Sequence, residues 1–504
     1  MLALVLWGCA IVILIIRQAL QFLRPLNFPP GPQWLPVLGN LLDLKGLVRK
    51  LGSQHAAFEA LCEKYGTTTL GLRLGGDLLV VTTGYEAAIE ALTSDAFLGR
   101  PDNFFMRLRC MGTRKGITSV EGPLWTEQRG FAVRHFRQLG YGKAHMENLI
   151  LEELTDLLSE LEPAAEQGWA VCVGPLLPRS VLNVLWALTA GTRFPHADPQ
   201  LQRVLDLLAQ RAKAFDMAGG ILSTLPWLRY LAPERSGYNL IARFNTSLKE
   251  LLEETIAAHH TSYNPGRTRD LIDAYLHETK AHQKEGIEST FTDDQLVMVC
   301  LDLFVAGALT TSSTLNFALM AMLLHADVQE RCFEEIQNNV GEGRLPALLD
   351  REKLPYIEAV LMEVMRFHHI APIIGPRRAL WDTKLDGFDI PKGTVLLIDT
   401  HSIHYDEKHW TDPSVFRPER FLDDTGKIKP DERLLNFSLG KRRCFGDVLA
   451  RNCLFLFLAG LLQRFRLVVP PGEAPPSTEP VPGLTQSPQP YRVLLLPRTA
   501  CPGS

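Results

Sequence analysis

Phe437-Ser438-Leu439-Gly440-Lys441-Arg442-Arg443-Cys444-Phe445-Gly446 is the stretch from which the rest of the chain becomes readable. One thiol lies between two glycines, behind three consecutive basic residues. It comes directly before Asp447 to Phe465, whose apolar residues recur at helical spacing. Cys444 therefore stands just ahead of a helix N-terminus, where backbone N–H groups favour a thiolate. Gly440 and Gly446 remove side chains where backbone has to approach a flat, bulky ligand. Phe437 is placed to shield the sulfur from water, and Arg442 offers a guanidinium fork to a carboxylate. Read alone, the same cysteine also fits a reactive redox thiol or a plain buried residue.

The remaining cysteines narrow the choice. With Cys444 the chain has nine in 504 residues, scattered and without a CxxC pair, which speaks against a disulfide scaffold, against a zinc site and for a reducing compartment. Hydrophobic residues make up 46% of the chain, enough for a large core. The net charge is -4 and no long basic tract occurs, so nothing points to nucleic acid.

Met1 to Ile16 is apolar and uncharged, and Arg17 and Arg24 follow it. Residues 1–24 read as an N-terminal transmembrane anchor at the short end of the roughly 20 residues a spanning helix needs. Arginines after the span and none before it place the following domain in the cytosol. A cleaved signal peptide is the rival reading; the segment lacks its basic n-region and a small-x-small cleavage site. Residues 25–40, with Pro29, Pro30, Pro32 and Pro36, read as a stiff proline-rich hinge. Residues 41–504 read as one large domain, with no internal repeat.

That domain reads as mainly helical with a small β region. Thr67–Leu74 and Leu78–Thr83, joined across Gly75-Gly76-Asp77, have hairpin character, and Tyr85–Leu92 that of a short helix. Helical spacing recurs at 124–138, 145–161, 175–190, 198–215, 238–260 and 268–278. Thr292-Asp293-Asp294 caps a long helix to about His325, apolar on nearly every face and so buried all round. Thr310-Thr311-Ser312-Ser313 interrupts it. A strand-rich stretch covers Lys384–Ile398, and the last strand is Tyr491–Leu496.

Two more pairs carry chemistry. Glu363 and Arg366, at i and i+3, share a face of an apolar helix over Leu354–Phe367, where an unpaired charge is costly. Trp125 and Arg129, at i and i+4, can both donate to one carboxylate. For each arginine a solvated surface position is the bland alternative.

The spacing F-x2-G-x-R-x-C-x-G resembles the haem-binding signature of the cytochrome P450 family, and the other motifs fall in that family's order. The resemblance runs from the proline hinge to Gly446 and is to microsomal animal members. Gly99–Gly142 looks most like arthropod enzymes related to the epoxidases of sesquiterpenoid hormones. It implies the P450 fold, and haem b (iron protoporphyrin IX) as cofactor with Cys444 as its iron ligand and Phe437 and Gly446 beside it. Arg442, Trp125, Arg129 and Arg377, with Arg100 a weaker candidate, are implied as propionate partners. Arg420, in Pro418-Glu419-Arg420-Phe421, is implied to complete a structural triad with Glu363 and Arg366.

The resemblance also implies that Thr310 orients a water supplying protons during oxygen activation, and that Gly307 leaves room for dioxygen. One departure matters: Leu309 stands where the family usually has Asp or Glu, and leucine relays no proton. Asp302 lies too far away to substitute and is expected to bond a neighbouring loop. The implied reaction inserts one oxygen atom from O2 into an apolar small molecule, by hydroxylation or epoxidation. Electrons would come from NADPH–cytochrome P450 reductase, with cytochrome b5 as a further donor, docking on Lys441, Arg442, Arg443, Arg134 and Arg137. The implied location is the endoplasmic reticulum membrane. Expected pocket walls are 104–119, 304–309, 370–374 and Leu484; 221–233 either dips into membrane lipid or forms a core loop. A haem-thiolate peroxide isomerase or dehydratase and a non-catalytic haem sensor are the rival functions. An anchored helical scaffold leaves the signature unexplained.

Overall fold

The computed structural model describes residues 23–138, 143–214 and 220–498. All of the expected anchor except Leu23 and Arg24 lies outside the described residues. Two compact units are formed, one by Met1–Pro101 with Ile373–Ser402 and a larger one by Asp102–Pro372 with Ile403–Ser504.

The larger unit is built around the Asp293–Leu324 helix of 32 residues. Thr292 Oγ1 accepts from the Gln295 N–H at 3.2 Å, and Asp293 and Asp294 sit in the first turn, where the helix dipole favours negative charge. Its composition would suffice to cross a membrane, yet most of its apolar stretch is buried within the protein. A helix without a polar face needs cover on every side. The Leu177–Ala190, Tyr238–Thr261, Pro355–Phe367 and Asp447–Arg464 helices supply it. Asp447–Arg464 in turn packs on Ala144–Glu166. A Cβ at Gly460 would lie 2.5 Å from Leu154 Cδ2, so the missing side chain lets those two helices approach. A three-stranded sheet of Ala170–Val171, Val493–Pro497 and Phe465–Val468, in that spatial order, closes one edge.

The smaller unit carries the expected hairpin, Thr69–Leu74 against Asp77–Thr82, with Thr69 opposite Thr82 and Leu74 opposite Asp77. Val395–Asp399 runs parallel to the second strand, and Ile373–Arg378 is antiparallel to Val395–Asp399. The proline-rich segment packs on the first strand: Gly71 N–H donates to the Pro30 carbonyl at 2.8 Å. The Arg24 guanidinium reaches the carbonyls of Pro29 and Gly71. A Cβ at Gly71 would stand 2.2 Å from the Pro29 oxygen, so only glycine permits this approach.

The architecture is mainly α with small sheets, as the sequence indicates. It adds helices the periodicity did not single out: Leu41–Leu51, Gln54–Tyr65, Phe104–Arg109 and Ala326–Asn339. Ala144–Glu166 runs through Pro163 instead of ending before it, because the proline falls in the last turn, where one lost hydrogen bond is tolerable. The last strand starts at Val493; Tyr491 instead directs its hydroxyl to Asn316 on the long helix.

Candidate active site

Cys444 sits on a loop closed by its own backbone. Its N–H donates to the Phe437 carbonyl at 2.8 Å, Arg443 N–H to Gly440 at 3.1 Å, and Ser438 N–H to Leu435 at 2.8 Å. Ser438 and Gly440 both adopt positive φ, 60° and 70°. Gly440 thus meets a backbone requirement, a left-handed residue in a tight turn, and not only a need for close approach. Gly446 ends the loop and precedes the Asp447–Arg464 helix. A Cβ there would lie 3.6 Å from Cys444 Sγ, so a longer side chain would cover the sulfur. Phe437 is half-buried, with the Arg451 guanidinium 4.8 Å from its ring centroid.

Cys444 keeps exposed surface, yet the protein crowded around its sulfur pushes the thiol above its ordinary pKa; the hydrogen bond from Gly446 N–H pulls the other way and loses. The helix start alone does not make this sulfur a thiolate. A coordinated cation does so outright, because the metal charge acts at bonding distance.

Arg129 and Arg442 both serve the loop. Arg129, on the Gly122–Gln138 helix, donates through Nη2 to the Arg443 carbonyl at 2.6 Å, and its guanidinium lies 5.5 Å from the Phe445 ring. Burial lowers its pKa, and the nearby Cys444 sulfur partly restores it. Arg442 is buried, stacks 3.9 Å from the Trp125 ring centroid and donates to the Val120 carbonyl at 2.8 Å. The expected Trp125–Arg129 pair is thus a group of three, with Arg442 on Trp125. Arg377 and Arg100 belong to the smaller unit. There Arg100 donates to the Pro376 carbonyl, while burial, then the charge of Arg100, brings Arg377 down to about 9.

On the long helix, Thr310 Oγ1 donates to the Ala306 carbonyl at 2.9 Å, which leaves its oxygen lone pairs as acceptors. From Gln295 to Leu324 only Ala306 is exposed, so this otherwise buried helix opens at the residue one turn before Thr310. At Gly307 a Cβ would meet Leu185 Cδ2 at 2.4 Å, so its smallness serves helix packing. Leu309, Ser312, Ser313 and Asn316 form one stripe on a cavity of about 320 Å³. Asp302 clasps the loop after the Phe104–Arg109 helix. Its Oδ2 accepts from Ile117 N–H at 2.6 Å and Thr118 N–H at 2.8 Å, and its Oδ1 accepts from the Thr118 hydroxyl. Sequence reasoning missed the second half of this clasp, in which Gln295 bonds both the N–H and the carbonyl of Gly116.

Glu363, Arg366 and Arg420 come together. Arg366 makes a two-pronged bond to Glu363, both arms 2.8 Å, and both residues are fully buried. Arg420 Nε reaches Glu363 at 3.0 Å. Arg366 also donates to the carbonyls of His404 and Pro413, each at 2.9 Å.

These groups suit a haem. A lone soft donor keeps exposed surface, cationic guanidiniums flank its loop, and a helix opens at a single alanine. The comparisons agree. The family described as Cytochrome P450 matches residues 29–495. Probable cytochrome P450 305a1 of Drosophila melanogaster is 46% identical over 503 residues, 97% of this chain and 99% of that protein. Farnesoate epoxidase of Bombyx mori is 38% identical, covering 94% of this chain and 95% of its own. Cytochrome P450 2D6 of Homo sapiens is 36% identical, with 94% of each covered.

Fold and comparisons together define a haem-dependent oxidoreductase of the monooxygenase class. The chain belongs to the cytochrome P450 family. A reductase supplies its electrons, and its substrate is a small molecule.

Proposed function

We propose that Cys444 would hold the iron of haem b through its sulfur and that the loop from Phe437 to Gly446 fixes that sulfur. The observation that carries this reading is the backbone-closed loop that presents the exposed Cys444, with Arg129 tied to the adjacent Arg443 carbonyl. Once bound, haem supplies the oxygen chemistry: one atom of O2 enters the substrate and the other leaves as water, with two electrons and two protons consumed. The protein supplies the rest. Arg442, Arg129 and Trp125 bind the propionates; Arg377 joins them on the family pattern alone. Thr310 holds a water through its free lone pairs and passes protons from it. Glu363, Arg366 and Arg420 hold the fold around the loop.

The substrate is apolar. The likeness to Farnesoate epoxidase makes a sesquiterpenoid acid or ester the first compound to test, as an epoxidation substrate. NADPH–cytochrome P450 reductase, with cytochrome b5 as a second donor, docks on exposed Arg134, Arg137, Lys441 and Arg443. Residues 1–24 anchor the chain in the endoplasmic reticulum membrane, 25–40 are the hinge, and 41–504 the cytosolic catalytic domain. Trp227, Tyr230 and Leu231, 51%, 73% and 75% exposed, rest on the lipid surface.

The test is to co-express the full chain with a reductase, record the carbon-monoxide difference spectrum and screen apolar substrates by mass spectrometry. A thiolate-type spectrum that Cys444→Ser abolishes, with NADPH-dependent oxygenated product, is the expected result. A spectrum unchanged in Cys444→Ser overturns the ligand assignment. Product formed from fatty-acid peroxides without NADPH would favour an isomerase.

A further inference from the structure

We infer that His404 and His369 form a positioning pair that anchors the start of the Cys444 loop; this rests on Cys444 being the haem ligand. Both imidazoles are buried, 0% and 2% exposed, with ring centroids 4.5 Å apart. They come from positions 35 apart in sequence, one just after the Pro355–Phe367 helix and one at the end of Thr400–His404. His404 Nδ1 and His369 Nε2 are joined by a hydrogen bond. The other ring nitrogen, His404 Nε2, accepts the backbone N–H of Leu435 at 3.0 Å.

These contacts fix the protons. A ring nitrogen that accepts an amide N–H carries no proton, so the neutral His404 ring holds its proton on Nδ1. That proton is donated to His369 Nε2, which is therefore bare, and the His369 proton sits on Nδ1. The chain of donors thus runs from Leu435 N–H through His404 to His369, with both rings neutral.

Leu435 is where the loop begins to turn. Its carbonyl accepts from Ser438 N–H at 2.8 Å, and the Phe437 carbonyl accepts from Cys444 N–H at 2.8 Å. Beside it, the Asn436 amide donates to the Met365 carbonyl at 2.7 Å. His404 also offers its own carbonyl to Arg366. One residue therefore ties the buried Glu363–Arg366 pair, through its backbone, to the lead of the thiol loop, through its ring. Leu435 is 1% exposed, so its N–H finds no water if the imidazole is removed. Leu435, Ser438 and Phe437 then lose a fixed start, and the sulfur at the far end loses its placement.

The test uses the haem-loaded full chain and four variants, one of them Cys444→Ser. His404→Leu removes the acceptor, and His404→Gln keeps an acceptor and a donor at one amide. Tyr405→Phe removes a nearby hydroxyl bond to the Phe367 carbonyl and leaves Leu435 anchored. Amide exchange followed by mass spectrometry should show the Leu435 region opening about tenfold faster in His404→Leu, the effect of one lost buried hydrogen bond. The carbon-monoxide difference spectrum of that variant should lose most of its thiolate form at unchanged haem content. His404→Gln should restore both readings, and Tyr405→Phe should change neither. A full thiolate spectrum and unchanged exchange in His404→Leu overturn the pair's role. Equal losses in the Leu and Gln variants do so as well. A Cys444→Ser protein that keeps the thiolate spectrum breaks the underlying ligand assignment instead.

Discussion

The Arg442 guanidinium carbon lies over Trp125, 3.9 Å from the ring centroid, and the group donates to the Val120 carbonyl. The stack holds a cation in the loop that carries Cys444. A cation over an indole contributes about 1–2 kcal/mol where water is excluded. Arg442→Lys keeps the charge and gives up the planar stack and fork. Haem dissociation, followed by transfer to an acceptor protein, should therefore speed up several-fold in Arg442→Lys and further in Arg442→Ala. Unchanged retention in Arg442→Ala would remove Arg442 from the propionate set.

The buried Glu363–Arg366 pair makes a harsher prediction. Replacing Glu363 by Gln leaves the guanidinium at zero exposure with two backbone carbonyls, Arg420 nearby and no counter-charge. Removing one member of a buried pair costs about 3–5 kcal/mol, a large part of a domain's stability. Thermal unfolding should show a drop of many degrees, and little haem-loaded protein should accumulate. A Glu363→Gln protein with wild-type melting would show that Arg366 needs no counter-charge at this site.

How far the sequence reaches depends on the distance over which each signal acts. The Phe437–Gly446 loop and the long helix are local patterns, and both were readable. Ala326–Asn339 was not, because only His325 separates it from the preceding helix, too short a break to register in periodicity. Gln54–Tyr65 was hidden by its mixed composition, although Ser53 caps it and Gly66 at φ 60° ends it. Gly307 showed that it had to be small without showing against what; Leu185 lies on a helix more than a hundred residues earlier. The His404–His369 contact joins two histidines whose local sequence gives neither a reason to be buried.

Asp302 yields a prediction about selectivity. Its carboxylate accepts from two backbone N–H groups and one hydroxyl at residues 117 and 118, and a Cβ at Gly116 (φ +88°) would lie 2.4 Å from its Oδ2. Asp302→Asn replaces one of the two acceptor oxygens by a donor, at about 1–3 kcal/mol for the groups left unpaired. With residues 104–119 as a pocket wall, KM for an apolar substrate should rise more than kcat falls. Gly116→Ala should reproduce the effect. A change in kcat alone would put this loop outside the pocket.

His368 sets a pH dependence. Burial first, then the nearby charges of His325 and Arg366, brings its pKa down to about 3, and its ring stacks on Phe317 with centroids 4.6 Å apart. Its unfolded value is about 6.5. The folded value is the lower one, so the unfolded chain binds more protons between the two. The neutral ring's contribution is full above about pH 6.5 and declines as pH falls towards 3, by up to about 1.4 kcal/mol per unit. His368→Phe keeps the stack and has no proton to take up. Unfolding midpoints measured from pH 7 to 4 should fall less steeply for this variant than for the wild type. Parallel slopes would assign the acid sensitivity to other groups.

Proton supply at Thr310 can be separated from sulfur placement. The hydroxyl spends its proton on the Ala306 carbonyl and keeps lone pairs that accept from water. Its neighbour Leu309 lines the cavity shared with Ser312, Ser313 and Asn316, where an acidic side chain would project instead. Thr310→Ala should leave the carbon-monoxide difference spectrum intact, because no bond to the Cys444 loop is lost. It should raise peroxide released per NADPH severalfold, because electrons arrive without a placed proton donor. Leu309→Glu sets a carboxylate in that cavity, one residue along the helix from Thr310, and should lower that release below wild type. Thr310→Ser should fall between wild type and Thr310→Ala, since it keeps the oxygen and loses only the methyl group that limits its rotamers. If Thr310→Ala consumes NADPH with wild-type coupling, protons reach the oxygen by a path that does not involve this side chain, and the Ser313 hydroxyl on the cavity stripe becomes the next residue to replace.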